Sequence, residues 1–179
     1  IGRTRDDAAG EAFDKVAKLL DLGFPGGPEV DKHSSFSSES FDFPRALLKG
    51  SHDFSFSGMK TAFLNLSEKN KPYDKDKISE LCNTFQEAIV DVITEKTIKA
   101  AEEHKCKGIV VTGGVAANSH LRNEIKRKSL LPVFIPEKKL CTDNGAMIAS
   151  FVVENYKKSN SGFNNICLLY TSDAADESD

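Results

Sequence analysis

Apolar residues recur at a helical interval from the start of the chain. Between Asp7 and Leu22 they fall at Ala9, Phe13, Val16, Ala17 and Leu20, one stripe of a 3.6-residue period. Asp6 and Asp7 suit the positive end of that helix, and Gly23 suits its end. The next segment, FPGGPEVD, brackets two glycines with prolines and predicts a rigid turn over 24–31. HSSFSSESFDFP has no period and reads as loop or irregular strand. In DFSFSG, Phe54 and Phe56 alternate with serines, the mark of a short strand. MKTAFLNLSEK predicts a short helix, and KNKPYDKDK a charged surface link. A long amphipathic helix then runs from about Ile78 to His104, with Leu81, Phe85, Ile89, Val92 and Ile93 on one face.

The remainder alternates more regularly. Ile109 to Thr112 predicts a buried-type strand, Ser119 to Lys128 a helix, Val133 to Ile135 a second strand and Asn144 to Tyr156 a second helix. That rhythm belongs to an α/β layer, whose ligands sit at the carboxyl ends of the strands. Gly113 and Gly114 lie at one such end, and Asp143 lies in the loop after the other.

Composition narrows the function classes. Of 179 residues, 39% are hydrophobic and 28% charged, enough to bury a core. A net charge of −3 gives no global attraction for nucleic acid or anionic membrane, so an RNA contact needs a local patch. The four cysteines, Cys82, Cys106, Cys141 and Cys167, form no C-x-x-C and read as reduced thiols of a cytoplasmic protein. No apolar run approaches the roughly 18–20 residues that span a bilayer. The chain starts at Ile1 without methionine, and CLLYTSDAADESD has no evident packing role. Both ends therefore suggest a fragment with a foreign or frayed tail.

Three stretches offer chemistry. In GIVVTGGVAANSH, glycines after a strand free the backbone and remove the Cβ that would hold a ligand away. The helix that follows offers unpaired N–H groups to an anion. Asn118 either caps that helix or aims its amide at a ligand. In CTDNGAMIA, Asp143 is either the N-cap of an apolar helix or a carboxylate ligand for a metal. In the first helix, Asp14 falls on the flank, where solvated charge is common, and PGGP could cradle an anion on its N–H groups. His33, His52, His104 and His120 show no H-x-x-x-H spacing, and RNEIKRK is a modest basic patch on a helix face. No phosphate-loop, H-E-x-x-H or G-x-S-x-G pattern is present.

Taken in order, DDAAGEAFDKVAKLLDLGFPGGP, DFSFSGMKTA, GGVAANSHLR and LCTDNGAMIA resemble successive blocks of the bacterial tRNA N6-adenosine threonylcarbamoyltransferase family, once described as O-sialoglycoprotein endopeptidases. The resemblance runs from about Gly2 to Tyr156 and leaves the C-terminal tail unmatched. It implies an α/β, actin-like ATPase (ASKHA, ribonuclease H-like) C-terminal lobe, preceded by a mostly helical substrate-binding subdomain. On that division, residues 1–77 are the helical portion, 78–158 the α/β lobe and 159–179 a disordered or non-native tail. The implied reaction moves a threonylcarbamoyl group from threonylcarbamoyl-AMP to N6 of the adenosine just 3′ of the anticodon in ANN-decoding tRNAs. Asp14, Gly27, Asp31 and Asn118 would hold the adenylate, and Asp143 would be one ligand of a divalent metal, usually Fe2+. The family's two histidine ligands come from an N-terminal lobe that this sequence lacks. The resemblance therefore implies the C-terminal half of an enzyme, inactive alone, with no catalytic side chain assigned. It also implies tRNA as substrate and a complex with an inactive paralogue and a small ATPase, away from the membrane. A non-catalytic scaffold paralogue and a small-molecule kinase of the same fold remain as alternatives.

Overall fold

The computed structural model describes residues 1–48 and 50–156. The tail expected from 159 onward and Cys167 lie outside the described residues. Helix α1 (Ala9–Leu19) buries Ala12, Phe13, Val16 and Ala17, the stripe read from the sequence. It ends earlier than Gly23 suggests. Asp21 takes a positive φ of 55°, while its N–H and that of Leu22 close onto the carbonyls of Lys18 and Ala17. That left-handed, doubly bonded exit is usually made with glycine.

The expected turn at 24–31 is instead a helix, α2 (Gly26–Ser34). Its start violates no helix rule. Pro25 precedes the first turn and Pro28 falls within it, where a missing N–H costs nothing. Gly26 is there for packing. A Cβ on it would lie 2.6 Å from Asp14 Cα and 2.7 Å from the Phe13 carbonyl, so α1 and α2 meet backbone to backbone.

The strand expected at DFSFSG reduces to one parallel bridge between Thr4 and Phe54, held by Arg5 N–H to Phe54 O and Phe54 N–H to Arg3 O, each 2.9 Å. Helix α3 (Ser57–Lys69) follows directly. Helix α4 (Lys75–Glu103) begins three residues before Ile78, because Asp74 caps it by accepting the Lys77 N–H at 2.7 Å. Its end repeats the α1 exit, with Lys105 at φ 51°.

Strands β1 (Ile109–Val110) and β2 (Val133–Phe134) pair in parallel, Ile109 opposite Val133. Both are shorter than expected, and β1 is not the buried type read from its apolar run, because Val110 and Phe134 face outward and only Ile109 of β1 enters the core. Helix α5 (Ser119–Lys128) connects them, completing the expected strand–helix–strand unit. Helix α6 (Gly145–Tyr156) belongs to a separate unit that begins at Asn144.

Two hydrophobic cores organise residues 1–143. The larger joins α1, α2, α3 and the first two-thirds of α4 around four aromatic rings. Phe85 is their hub, edge-to-face with Phe13 at 5.5 Å, Phe63 at 5.4 Å and Phe43 at 6.3 Å. The smaller core packs Ala101 at the end of α4 against Ile109 and Ile125, the sheet and α5. Helix α4 is common to both.

Candidate functional site

A cavity of about 650 Å³ opens where α1, the start of α2 and the loop after β1 converge. Its walls include Asp14, Gly27, Asp31 and Asn118, four positions read from three stretches of sequence. Asp143 is not in its wall, although the preceding Thr142 is.

Asp14 is partly buried rather than a solvated flank charge. Its Oδ1 accepts the Gly26 N–H at 2.7 Å, so a side chain of α1 caps α2. Pro25, at the N-cap position itself, has no side chain able to do so. Asp31 does the same for α5. Both its oxygens lie within 3.2 Å of the Ser119 N–H, and Oδ2 accepts the Ser119 hydroxyl at 2.8 Å.

Of the two readings of Asn118, the structure shows the cap. Its Oδ1 caps α5 by accepting the Leu121 N–H at 2.9 Å, while the residue borders the cavity and is 8% exposed. Its Nδ2 donates to Gln86 Oε1 at 2.7 Å, Gln86 Nε2 donates to Ser34 Oγ at 2.6 Å, and Ser34 Oγ donates to the Asp31 carbonyl at 2.9 Å. A buried polar chain thus runs from the loop after β1 through α4 to α2. Such networks rigidify when every member has a partner. Sequence reasoning missed Gln86 and Ser34; the available signal was a glutamine interrupting the apolar positions of α4.

The glycine loop is shaped by Gly113 and Arg122. Gly113 takes φ +88°, a conformation other residues resist, and leads into a 3₁₀ turn, Gly114–Ala117. Gly27 and Gly114 have open space where a Cβ would stand. Arg122 donates to the Ala116 carbonyl at 2.7 Å, to the Pro136 carbonyl and to Cys141 Sγ, clamping the loop to the segment after β2. The basic patch RNEIKRK therefore spends much of its charge internally, with Arg127 on Glu124 at 2.7 Å and Lys128 on Asp91 at 2.9 Å. Burial pushes the Cys82 thiol up to about 12, which removes it from nucleophilic chemistry.

Asn144, not Asp143, caps α6, its Oδ1 accepting the Met147 N–H at 3.0 Å. Asp143 itself is exposed. Among the described residues no group of three or more His, Cys, Asp or Glu side chains could hold a metal ion. No helix among them is long and apolar enough to cross a membrane.

The model of the tRNA N6-adenosine threonylcarbamoyltransferase family matches residues 1–150. The chain belongs to that family. Relatives bearing that name include proteins of Dehalococcoides mccartyi, 52% identical over 150 residues, and Thermosipho africanus, 48% identical over 165. These alignments cover 84% and 88% of this chain but 45% and 49% of the relatives. The chain thus spans about half the length of the threonylcarbamoyltransferases it matches. Two crystal structures of HypF, one from T. kodakarensis and one full-length in a phosphate- and nucleotide-bound form, share its fold with TM-scores of 0.61 and 0.64. They are 16% and 20% identical and cover 84% and 87% of this chain, which corresponds to 20% and 21% of theirs.

Proposed function

We propose that this chain is the adenylate-holding half of a tRNA N6-adenosine threonylcarbamoyltransferase with an actin-like (ASKHA) fold. The reading is carried by one observation: Asp14, Gly27, Asp31 and Asn118, the four positions matched to the family's substrate contacts, border a single cavity. One oxygen of Asp14 is spent on Gly26, which leaves the other to accept from a ligand hydroxyl such as that of a ribose. Gly27 and Gly114 let a planar group approach the backbone closely. The apolar sides of Phe13, Pro28 and Val115 suit the faces of a purine ring. Asn118 positions the loop by capping α5, and Gln86 fixes its amide.

The proposed reaction places the threonylcarbamoyl carbonyl of threonylcarbamoyl-AMP against N6 of an adenosine in an ANN-decoding tRNA. The amine attacks that carbon, the bond from the carbon to the phosphate oxygen breaks, AMP leaves, and N6 releases one proton to solvent. No covalent enzyme intermediate is needed. Asp143 fits as one carboxylate ligand of a divalent metal, proposed as Fe2+, because it is exposed and not used as a helix cap. The metal, when bound, would supply charge to polarise the carbonyl. Its further ligands are proposed to come from the rest of the intact enzyme, which would act in the cytoplasm in a complex with an inactive paralogue and a small ATPase.

Titrating the purified chain with AMP tests the reading. Saturable binding is expected, reduced about tenfold or more by Asp14→Asn, with the melting temperature measured in parallel. Binding unchanged by that substitution would sink the assignment of the cavity.

A further inference from the structure

An adenylate carries a phosphate, and the features the sequence offers to hold it are already occupied. The N-terminus of α2 is closed by Asp14, and that of α5 by Asp31 and Asn118. Helix N-termini already capped by carboxylates have little positive potential left for an anion. The cavity wall nevertheless holds two cations, Lys32 and Lys138.

They are not equivalent. Lys32 lies on α2, 65% exposed, and, like Lys138, has a carboxylate about 4 Å away, that of Glu29. Lys138 stands in the 3₁₀ turn Lys138–Leu140 after β2. Its Nζ donates to Ser119 Oγ at 2.6 Å and lies 3.9 Å from Asp31 Oδ2, too far for a hydrogen bond. An ammonium has three donors, and here one is used. The group is thus held over the first residue of α5, at the edge of the cavity, with two donors to spare. The Arg122 clamp fixes the segment that presents it.

We propose that Lys138 is the anion contact of this cavity, donating to the phosphate of a bound nucleoside monophosphate and determining selection of the phosphorylated ligand over the bare nucleoside. This rests on the nucleotide reading of the cavity given above. Asp31 then has two roles, capping α5 and holding Ser119 where it orients the ammonium. The side chain is 56% exposed, so the contact is screened by salt.

The test is calorimetric titration of the chain with AMP and with adenosine, for the wild type, Lys138→Met and Lys138→Arg. The wild type binds AMP about tenfold more tightly than adenosine, the size of one charge-assisted hydrogen bond. Lys138→Met abolishes that preference and leaves adenosine affinity unchanged, whereas Lys138→Arg retains it. The preference also shrinks as ionic strength rises. A Lys138→Met protein that still prefers AMP overturns the role of Lys138 and leaves the nucleotide reading standing. Equal loss of both ligands overturns it too, because Lys138 would then act only by shaping the cavity. A wild type that binds neither ligand removes the nucleotide reading itself.

Discussion

Three aspartates in the first third of the chain each close the N-terminus of a helix to which they do not belong. Asp6 closes α3, Asp14 closes α2 and Asp31 closes α5. Asp6 is the most heavily bonded. It accepts the N–H groups of Phe56 at 2.7 Å and Ser57 at 3.2 Å and the hydroxyls of Ser55 and Ser57. The Ser55 hydroxyl, the largest influence, and the Phe56 and Ser57 donors hold its carboxyl well below the usual aspartate range, against burial, which opposes them and is second in size only to Ser55. A depressed folded-state value means the contribution is complete above the unfolded value, about pH 4, and is lost as pH falls through the folded one. Asp6→Asn is therefore expected to lower stability at neutral pH and to flatten its decline in acid. Denaturation midpoints from pH 7 down to pH 2 check this; parallel wild-type and mutant curves would refute it. None of the three caps was legible in the sequence. Each donor and acceptor lie 12 to 88 residues apart, so the spacing that normally betrays a capping residue is missing.

Elements with strong internal signals were read well. The stripe of α1 and the interval from Ser119 to Lys128 match the observed helices, and the two strands appear in the expected order. The turn expected over 24–31 is instead a helix because that helix is stabilised from outside. Its two prolines and two glycines score as a turn locally, and only the Asp14 cap and the close approach at Gly26 make it a helix. DFSFSG failed in the opposite sense, since its alternation is real but its partner at Thr4 offers a single bridge. Gly26→Ala is expected to push α1 and α2 apart and to destabilise the fold by roughly 1–3 kcal/mol, the usual cost of overpacking. Gly27→Ala, with open space at its Cβ, should cost far less in stability while weakening AMP binding. Urea midpoints and nucleotide titrations of the two variants separate packing from ligand approach.

At the scale of the molecule, the resemblance carried by four ordered blocks was legible and the family match agrees with it. The cavity was not, because it depends on how α1, α2 and the loop after β1 converge. The chain spans about half of its curated relatives, and the lone carboxylate of Asp143 is surrounded by no ligand cluster among the described residues. The chain alone is therefore expected not to modify tRNA when given threonylcarbamoyl-AMP. Appearance of the modified nucleoside, followed by mass spectrometry, would contradict this. In the longer polypeptide, Asp143→Ala should lower bound metal and transfer activity together; full metal content in that variant would free Asp143 of the role.

Helix α4 is a rod of 29 residues, about 43 Å long. One end stands in the aromatic core, the other in the core beneath the sheet, and Gln86, beside Phe85 in the first of these, underpins the cavity. Neither core can loosen without releasing that rod, so residues 1–143 should melt in one cooperative step. A nucleotide bound over Gln86 would then raise a single midpoint for the whole unit by mass action, rather than firming the loops around it alone.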